Sequence, residues 1–599
     1  MRNANLKNVL LMCLAFLASA VMLTVIQPPI DWAPLAWFSL VPFILVCSPN
    51  TKTKPLALIA YIVSLCYWLG NLYWVAPITI LGWFAFCLYT AVLWPILALS
   101  IRYCMSKKIP LFLAAGVLFV GAERLQGLFL GGFFWRFLAH SQFQNITLIQ
   151  TADIFGTAGL SFLIAMVNGL LAELILDAQL VSVKAEARAG YSILDAHCWR
   201  GIFKISNLLK TALVSAFVIA AIAYGRWRIN QSPQFITQGP LVASLQSNVP
   251  QSIKRSFEES DTIFDELMQK SKAAAEVGAE LIVWPETMVQ AVLNERVLAI
   301  LDPSHSYIIF DKALKEHSKD KAYLLVGAYG GTPQIREDST IHLAQRYNSA
   351  FLYKSDGQKS DKFYNKIHLV PFGEFLPFKK KLPALYNLLM KCTPYNYDYS
   401  LDAGSEYTVF EMTGKETQNC GYRFSVIICY EDTVPAITRK FALDKKGQKQ
   451  IDWLVNISND GWFVRFKNGK VLPDTELPQH AAICAFRAVE NRLPVLRSVN
   501  TGISCLIDSL GRIRDGYVAA SPDFPAKAMQ RQGLAGWFTD KMPIDKRVTF
   551  FSKYGQFLDF SCVICLVLLI IGQLSEKIRS QKHTTRLSGK VNEKHAQKK

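Results

Sequence analysis

The chain has 599 residues, 51% of them hydrophobic and 18% charged, with 64 Lys and Arg against 46 Asp and Glu for a net charge of +18. Ordinary soluble domains are about 45–50% apolar and about 25% charged, so the composition points away from an all-soluble chain and toward a bilayer. The basic excess fits nucleic acid, an anionic surface or a topology signal, and its placement decides among them.

Apolar runs at 9–26, 33–48, 56–77, 79–101, 110–130, 156–176, 209–224 and 557–574 predict eight transmembrane helices, each near the roughly 20 residues needed to cross a hydrocarbon core of about 30 Å. Arg2 and Lys7 ahead of the first run, with Ala18, Ser19 and Ala20 inside it, have the look of a signal peptide. Seven further spans favour an uncleaved first helix. With the N-terminus in the cytoplasm, 20 of the 22 basic residues outside 225–557 fall on one side of the bilayer, Arg124 and Arg136 being the exceptions. That asymmetry is what the positive-inside rule requires. The expected organisation is a seven-helix membrane domain (1–224), an extracytoplasmic domain (225–556), an eighth helix (557–575) and a basic cytoplasmic tail (576–599). The external segment is left with a net charge of only +6. A nucleic-acid binder gathers a basic stripe on a soluble module, so no nucleic-acid partner is expected.

Inside 225–556 the pattern changes. Leu241–Gln246 reads as a strand and 257–277 as a helix with Ile263, Phe264, Leu267 and Met268 on one face. Further strands are predicted at 281–284, 324–329, 350–353, 424–428, 453–457, 495–500 and 503–508, the third followed by an Asp356-Gly357 turn. Strands alternating with helices and hairpins predict a mixed α/β layered domain. Five cysteines lie in this segment, Cys392, Cys420, Cys429, Cys484 and Cys505, an odd number that implies at least one free thiol. Cys562-x-x-Cys565 sits inside an apolar span and reads as small hydrophobes. The nine histidines show no metal-ligand spacing, and there is no phosphate-binding glycine loop. No metal, nucleotide or other cofactor is expected.

Three elements end in reactive side chains. Glu286 follows the 281–284 strand through Pro285, which cannot continue a central ladder. Cys429 follows 424–428, and Lys366 lies in a polar, aromatic segment punctuated by Pro371, Gly373 and Pro377. Strand ends are where distant side chains meet. A Cys nucleophile, a Glu to take its proton and a Lys to favour the thiolate and hold an oxyanion can run acyl transfer. Taken singly, Cys429 is as well read as a buried small hydrophobe, Glu286 as a surface carboxylate and Lys366 as a solvated charge.

The local motifs decide between these readings. Trp284-Pro285-Glu286, Asn365-Lys366-Ile-His-Leu-Val-Pro-Phe-Gly-Glu374 and Cys429-Tyr430-Glu431 resemble, in order, the three signatures of the nitrilase superfamily. With the membrane spans around them the chain resembles the apolipoprotein N-acyltransferase family. The likeness runs on through Asn456-Ile-Ser-Asn-Asp-Gly-Trp-Phe463, Gln479-His480, Phe486-Arg-Ala-Val-Glu-Asn-Arg492, Asn500-Thr-Gly502, Gln246-x-Asn248-x-Pro250-Gln251 and the 132–142 loop. Arg255 and Phe257 stand where the family usually has Trp, and Glu123 is followed at once by Arg124. The resemblance implies an external αββα sandwich with Cys429 as the acylated nucleophile, Glu286 as general base and Lys366 as oxyanion and thiolate stabiliser. It implies supporting roles for Glu374, Tyr430 and Glu431, framework roles for Asn459, Asp460, Arg487, Glu490 and Arg492, and no catalytic role for His368 or His480. The activity implied is ping-pong transfer of an acyl chain from a membrane phospholipid, expected to be phosphatidylethanolamine, to the N-terminal amine of a diacylglyceryl-cysteine apolipoprotein. The expected setting is the bacterial inner membrane, with a monomer whose catalytic domain is periplasmic. The rival readings are a membrane-tethered amidase with water as acceptor, and a non-catalytic transporter or sensor.

Overall fold

The computed structural model describes residues 2–128, 131–189, 203–250, 259–335, 341–391, 398–414, 421–467 and 470–596. Cys198, Gln251, Arg255, Phe257, Cys392 and Cys420 lie outside these residues.

Among the described residues, six helices, not the expected eight, are long and apolar enough to cross a bilayer: Leu6–Val25, Thr53–Asn71, Ile80–Ser106, Thr157–Gln179, Ile205–Gln234 and Phe557–Gln581. The two other expected spans are shorter. Residues 33–48 break into a tight turn at Ala33–Trp37 and a helix at Val41–Val46, each with a proline as its second residue, where the missing N–H has no helical partner to lose. The helix Leu111–Gln126 has 16 residues, about 24 Å at 1.5 Å per residue, roughly a turn short. It lies in the middle of the bundle, where small residues allow close backbone approach. A Cβ on Gly169 would come within 2.3 Å of the Leu111 carbonyl, and one on Gly121 within 2.9 Å of the Cys562 carbonyl. Both short elements still run between the two poles. Ala33 accepts from Gln142 at 2.8 Å near the α/β domain, while Ser48 accepts from Arg102 at 2.5 Å at the basic pole. Leu111 N–H reaches Glu173 at 2.9 Å at that basic pole, and Gln126 holds the carbonyls of Phe133 and Trp135 at the other.

The α/β domain contains β1 (Ile236–Gln246), β2 (Leu281–Val283), β3 (Val289–Val292), β4 (Tyr323–Ile335), β5 (Ile341–Tyr353), β6 (Lys359–Asn365), β7 (Phe410–Thr413), β8 (Gly421–Ile428), β9 (Trp453–Ser458), β10 (Arg465–Lys467), β11 (Lys470–Leu472), β12 (Val495–Val499), β13 (Cys505–Ile507), β14 (Ala519–Ala520) and β15 (Gly536–Asp545). One sheet runs β14-β15-β1-β2-β4-β5-β6 with β3 beside β4, and a second runs β13-β12-β9-β8-β7. The centres, β1-β2-β4 and β12-β9-β8, are parallel. The period-2 side-chain alternation of strands explains the layering. On β1 and β2, Val242, Leu281 and Val283 face Val426, Ile428, Val455 and Leu496 of the second sheet. Their neighbours Ala243, Leu245 and Ile282 face the helices Ser260–Glu276 and Ser306–Ser318. Ile263, Phe264, Leu267 and Met268 form the buried stripe of the first of these helices, each contributing about 1.5–3 kcal/mol by leaving water.

The second sheet is covered by Pro435–Ala442 and Glu476–Asn491, which completes an αββα sandwich. Glu476–Asn491 is buried all round because it is shared. Ala481, Cys484, Ala485 and Ala488 lie on the sheet, while Ala482, Ile483, Phe486 and Val489 pack into the membrane-domain core. At its end, Arg492 reaches Asp153 at 2.7 Å and Gln150 at 2.6 Å, and Asp153 also takes Arg228 at 2.7 Å and Tyr224 at 2.6 Å. Asp153→Asn would leave two guanidiniums, one fully buried, sharing no carboxylate. We expect a loss of about 3–5 kcal/mol, read as a lowered melting temperature in detergent, with the domain loosened from the bundle.

Candidate active site

The three sequence-predicted side chains converge. β2 stops at Val283, and Trp284-Pro285 carries the chain to Glu286. The 285–287 turn lies directly on β4: a Cβ on Gly327 would come within 2.4 Å of the Pro285 carbonyl and 2.7 Å of Glu286 Cα. Gly327→Ala must therefore push Glu286 out of place. It should cost about 1–3 kcal/mol in stability and slow acylation of Cys429, measured as a single-turnover rate.

Lys366 follows β6, its N–H bonded to the Asn348 carbonyl at 2.8 Å. Its side chain is 1% exposed. The ammonium sits 2.9 and 2.8 Å from the two oxygens of Glu374 and 3.7 Å from Glu286 Oε1. Asn348, which sequence reasoning missed, ties the two carboxylates together, donating to Glu286 Oε1 at 2.6 Å and to Glu374 Oε1 at 3.0 Å. Val370 N–H fixes the other Glu374 oxygen at 2.8 Å. An Asn inside a strand is unremarkable by itself, and its value appears only once β5 sets it between Glu286 and Glu374.

Cys429 is the first residue past β8, in a left-handed conformation at φ +51°, and opens the 3-10 turn Cys429–Thr433. Only a constrained site holds a non-glycine residue there. Asn456 from β9 donates to the Cys429 carbonyl at 3.2 Å. Glu431 supplies much of the constraint. Its buried carboxylate accepts from Ile428 N–H (2.7 Å), Ile367 N–H (2.7 Å), His368 N–H (2.9 Å) and the Tyr364 hydroxyl (2.9 Å). It thereby locks the Lys366 segment to the nucleophile turn.

Electrostatics assigns resting protonation states. Burial and the neighbouring Glu286 raise the Cys429 thiol well above its ordinary value, with Lys366 opposing them, so the resting group is a thiol that needs a base. Burial works against the Lys366 charge, but Glu374, Glu286 and Cys429 outweigh it and raise its pKa, so the ammonium persists. Tyr430 leaves the turn toward the membrane domain, its hydroxyl donating to the Gly132 carbonyl at 2.7 Å, and its ring stacks on His368 at 5.9 Å. Trp135 of the same loop donates to Gln479 at 2.8 Å. The site thus lies at the junction with the bundle. His480 Nε2 is taken by Asp432 at 2.7 Å, and Arg487, Glu490 and Arg492 bond within the framework.

Known proteins match both halves of this arrangement. The apolipoprotein N-acyltransferase N-terminal domain matches residues 19–170, and the carbon-nitrogen hydrolase domain matches 241–521. The apolipoprotein N-acyltransferase of Geobacter metallireducens is 29% identical over 564 residues, covering 91% of this chain and 92% of that protein. Those of Sinorhizobium fredii (27% identical, 75% of this chain, 74% of that protein) and Bdellovibrio bacteriovorus (26%, 73%, 69%) are similar over shorter stretches. Among solved structures, the chain is similar to an amidase from Nesterenkonia sp. (14% identical, 52% of this chain, 92% of that one, TM-score 0.33). A bundle of apolar helices, an αββα sandwich with a cysteine turn beside a buried Lys and two Glu, and relatives that match across both parts lead to one conclusion: the chain is similar to the apolipoprotein N-acyltransferases over both its membrane part and its α/β part.

Proposed function

We propose that the chain N-acylates diacylated apolipoproteins by a ping-pong route through a thioester on Cys429. The observation that carries this reading is Lys366, fully buried between Glu286 and Glu374, next to a Cys held in a strained turn. In the first half-reaction Glu286 takes the thiol proton as Cys429 Sγ attacks the ester carbonyl of a phospholipid, taken to be phosphatidylethanolamine. Lys366 and the Tyr430 N–H stabilise the oxyanion, and the ester oxygen leaves as a lysophospholipid alcohol with the proton returned by Glu286. In the second, the N-terminal amine of the acceptor attacks the thioester, Glu286 accepts its proton, and the amide leaves as Cys429 regains a thiol. Glu374 keeps Lys366 aimed throughout.

Both substrates are membrane-anchored, and the surroundings of the site suit them. Phe372, Leu382 and Leu385, in the stretch of chain that follows Lys366, are exposed, and the aromatic 131–137 loop borders Tyr430. Five of the six long apolar helices precede the α/β domain and one follows it. An odd number before it, these five or the seven of the sequence reading, supports a domain opposite a cytoplasmic N-terminus, on the periplasmic side of the inner membrane. The proposed division is a membrane part to about 224, a catalytic part to 556, then a last helix and a basic tail. A monomer provides every group the chemistry needs.

The test is product partition. Purified protein in phosphatidylethanolamine micelles with a diacylated lipopeptide should yield N-acylated lipopeptide and lysophospholipid in equal amounts. Release of free fatty acid at the same rate with or without lipopeptide would favour the tethered amidase instead.

A further inference from the structure

A second cluster of charge adjoins the nucleophile, and the two half-reactions make no use of it. Asp432 belongs to the same turn as Cys429. Its Oδ1 lies 2.7 Å from His480 Nε2, and its Oδ2 meets Arg497 of β12. The other ring nitrogen, His480 Nδ1, lies 3.2 Å from Glu476 Oε1 and 3.3 Å from Asp460 Oδ1. Arg497 also approaches Asp460, at 3.9 Å, and Ser458 donates to Asp460 at 2.6 Å. Asp432, Asp460, Glu476 and Arg497 are 0% exposed and His480 1%. Cys429, Tyr430, Cys484 and Cys505 are the other titratable groups facing the cluster, and the Trp135 ring covers His480 at 5.5 Å.

Two features of this geometry decide its protonation. Both ring nitrogens of His480 face carboxyl oxygens, Nε2 hydrogen-bonded to Asp432 and Nδ1 at ion-pair distance from Glu476 and Asp460 without a directed hydrogen bond, and opposite charge on both sides favours the imidazolium. Three carboxyl groups then stand against two cations, the imidazolium and the guanidinium. A net buried charge is costly enough that a group neutralises instead. Asp460 has Ser458, His480 and Arg497 around it, whereas neither Glu476 oxygen accepts a well-directed hydrogen bond from the described residues, His480 Nδ1 reaching Oε1 only at ion-pair distance. Burial and the nearby Asp460 accordingly raise the Glu476 pKa, while His480 and Arg497 lower that of Asp460.

We propose that His480 is a positioning residue for the nucleophile: as a permanent imidazolium it clamps Asp432, and with it the turn that holds Cys429 at φ +51°, while Glu476 carries the one proton that leaves the cluster neutral. This rests on the reading of Cys429 as the acylated residue.

The experiment compares wild type, His480→Gln and Glu476→Gln in detergent with phospholipid. Gln mimics a protonated Glu, so E476Q should fold and acylate Cys429 within about threefold of wild type. In H480Q the turn loses its clamp, and the single-turnover acylation rate should fall about 100-fold, the scale of an ångström-sized misplacement, with the lipid KM unchanged. Difference infrared spectroscopy of wild type should show the carbonyl band of a buried protonated carboxylic acid, missing from E476Q. The wild-type acylation rate should show no step where a free histidine titrates, about pH 6.5. Because Asp460, Glu476 and His480 place ligand atoms within 4.8 Å of one another, metal content is measured as well. A stoichiometric divalent ion, an unfolded or inactive E476Q, or the lack of the acid band would overturn the proton assignment. Wild-type acylation by H480Q would overturn the positioning role. If wild type forms no thioester at all, the acyl-transfer reading fails instead, while the infrared and metal readouts still judge the cluster on its own. Should H480Q not fold, E476Q and the wild-type spectrum decide.

Discussion

Cys429→Ser should fold like wild type and lose acyl transfer by roughly 10³- to 10⁶-fold, the scale seen when a covalent nucleophile is disabled. The substitution changes one atom in a residue that is 7% exposed and whose carbonyl, not its side chain, accepts the Asn456 bond. Stability should therefore hold to within about 1 kcal/mol. The chemistry is less forgiving. Glu286 must take a proton from a group already held neutral by burial and by Glu286 itself, and a hydroxyl is far harder to deprotonate than a thiol. Acylation is measured as the burst of lysophospholipid in a single turnover, and melting in detergent controls for fold. Full activity in the Ser protein would remove Cys429 from the mechanism and favour a non-catalytic external domain.

Lys366→Met is the second large effect, and it reaches stability as well as rate. The ammonium is the counter-ion of both Glu374, at 2.8 Å, and Glu286, at 3.7 Å. Losing a preorganised oxyanion donor costs about 10²–10³ in rate, and disorder of the two carboxylates should take the total loss to 10³-fold or more. Removing one partner from a buried ion pair costs about 3–5 kcal/mol. The sign of the pH dependence follows from the shift. Lys366 has a folded pKa raised above its unfolded value, so its contribution is fully present below the unfolded value near pH 10.4 and is lost only as pH rises through the folded one. Wild type should therefore show no loss from this group between pH 5 and 9. In K366M Glu286 and Glu374 are left as two buried carboxylates on one Asn348 amide, with no cation between them. Two buried like charges without a counter-ion repel each other, a cost that is greatest where carboxylates are ionised. The gap in melting temperature between K366M and wild type should widen from pH 5 to pH 8. A gap that narrows instead would mean that Lys366 is not the counter-ion.

Much of this was legible in the sequence because it rests on local rules. Pro285 marks the end of β2, and the 263–268 stripe marks a helix face, since each depends on a few adjacent residues. The reactive trio was legible through its flanking motifs. What stayed hidden depends on contacts far along the chain. Glu476–Asn491 is buried all round because it serves two cores, its polar residues included, so no single apolar stripe announced it. β15, with Asp540, Lys541, Pro543 and Asp545 along it, lacks the apolar alternation of a strand and is placed by its pairing with β1. Asn348 matters only after folding sets it between Glu286 and Glu374. The count of eight spans is not confirmed for a related reason: Leu111–Gln126 is apolar enough to resemble a full crossing, yet it is a 16-residue helix enclosed by its neighbours.

The most direct test of the account is peptide-level mass spectrometry of the protein purified with phospholipid, before and after adding a diacylated lipopeptide. The account predicts a long-chain acyl mass on the peptide carrying Cys429, labile to hydroxylamine as a thioester, which disappears as the N-acylated lipopeptide appears. An adduct on another cysteine, or product formed while Cys429 stays unmodified at every time point, would contradict it.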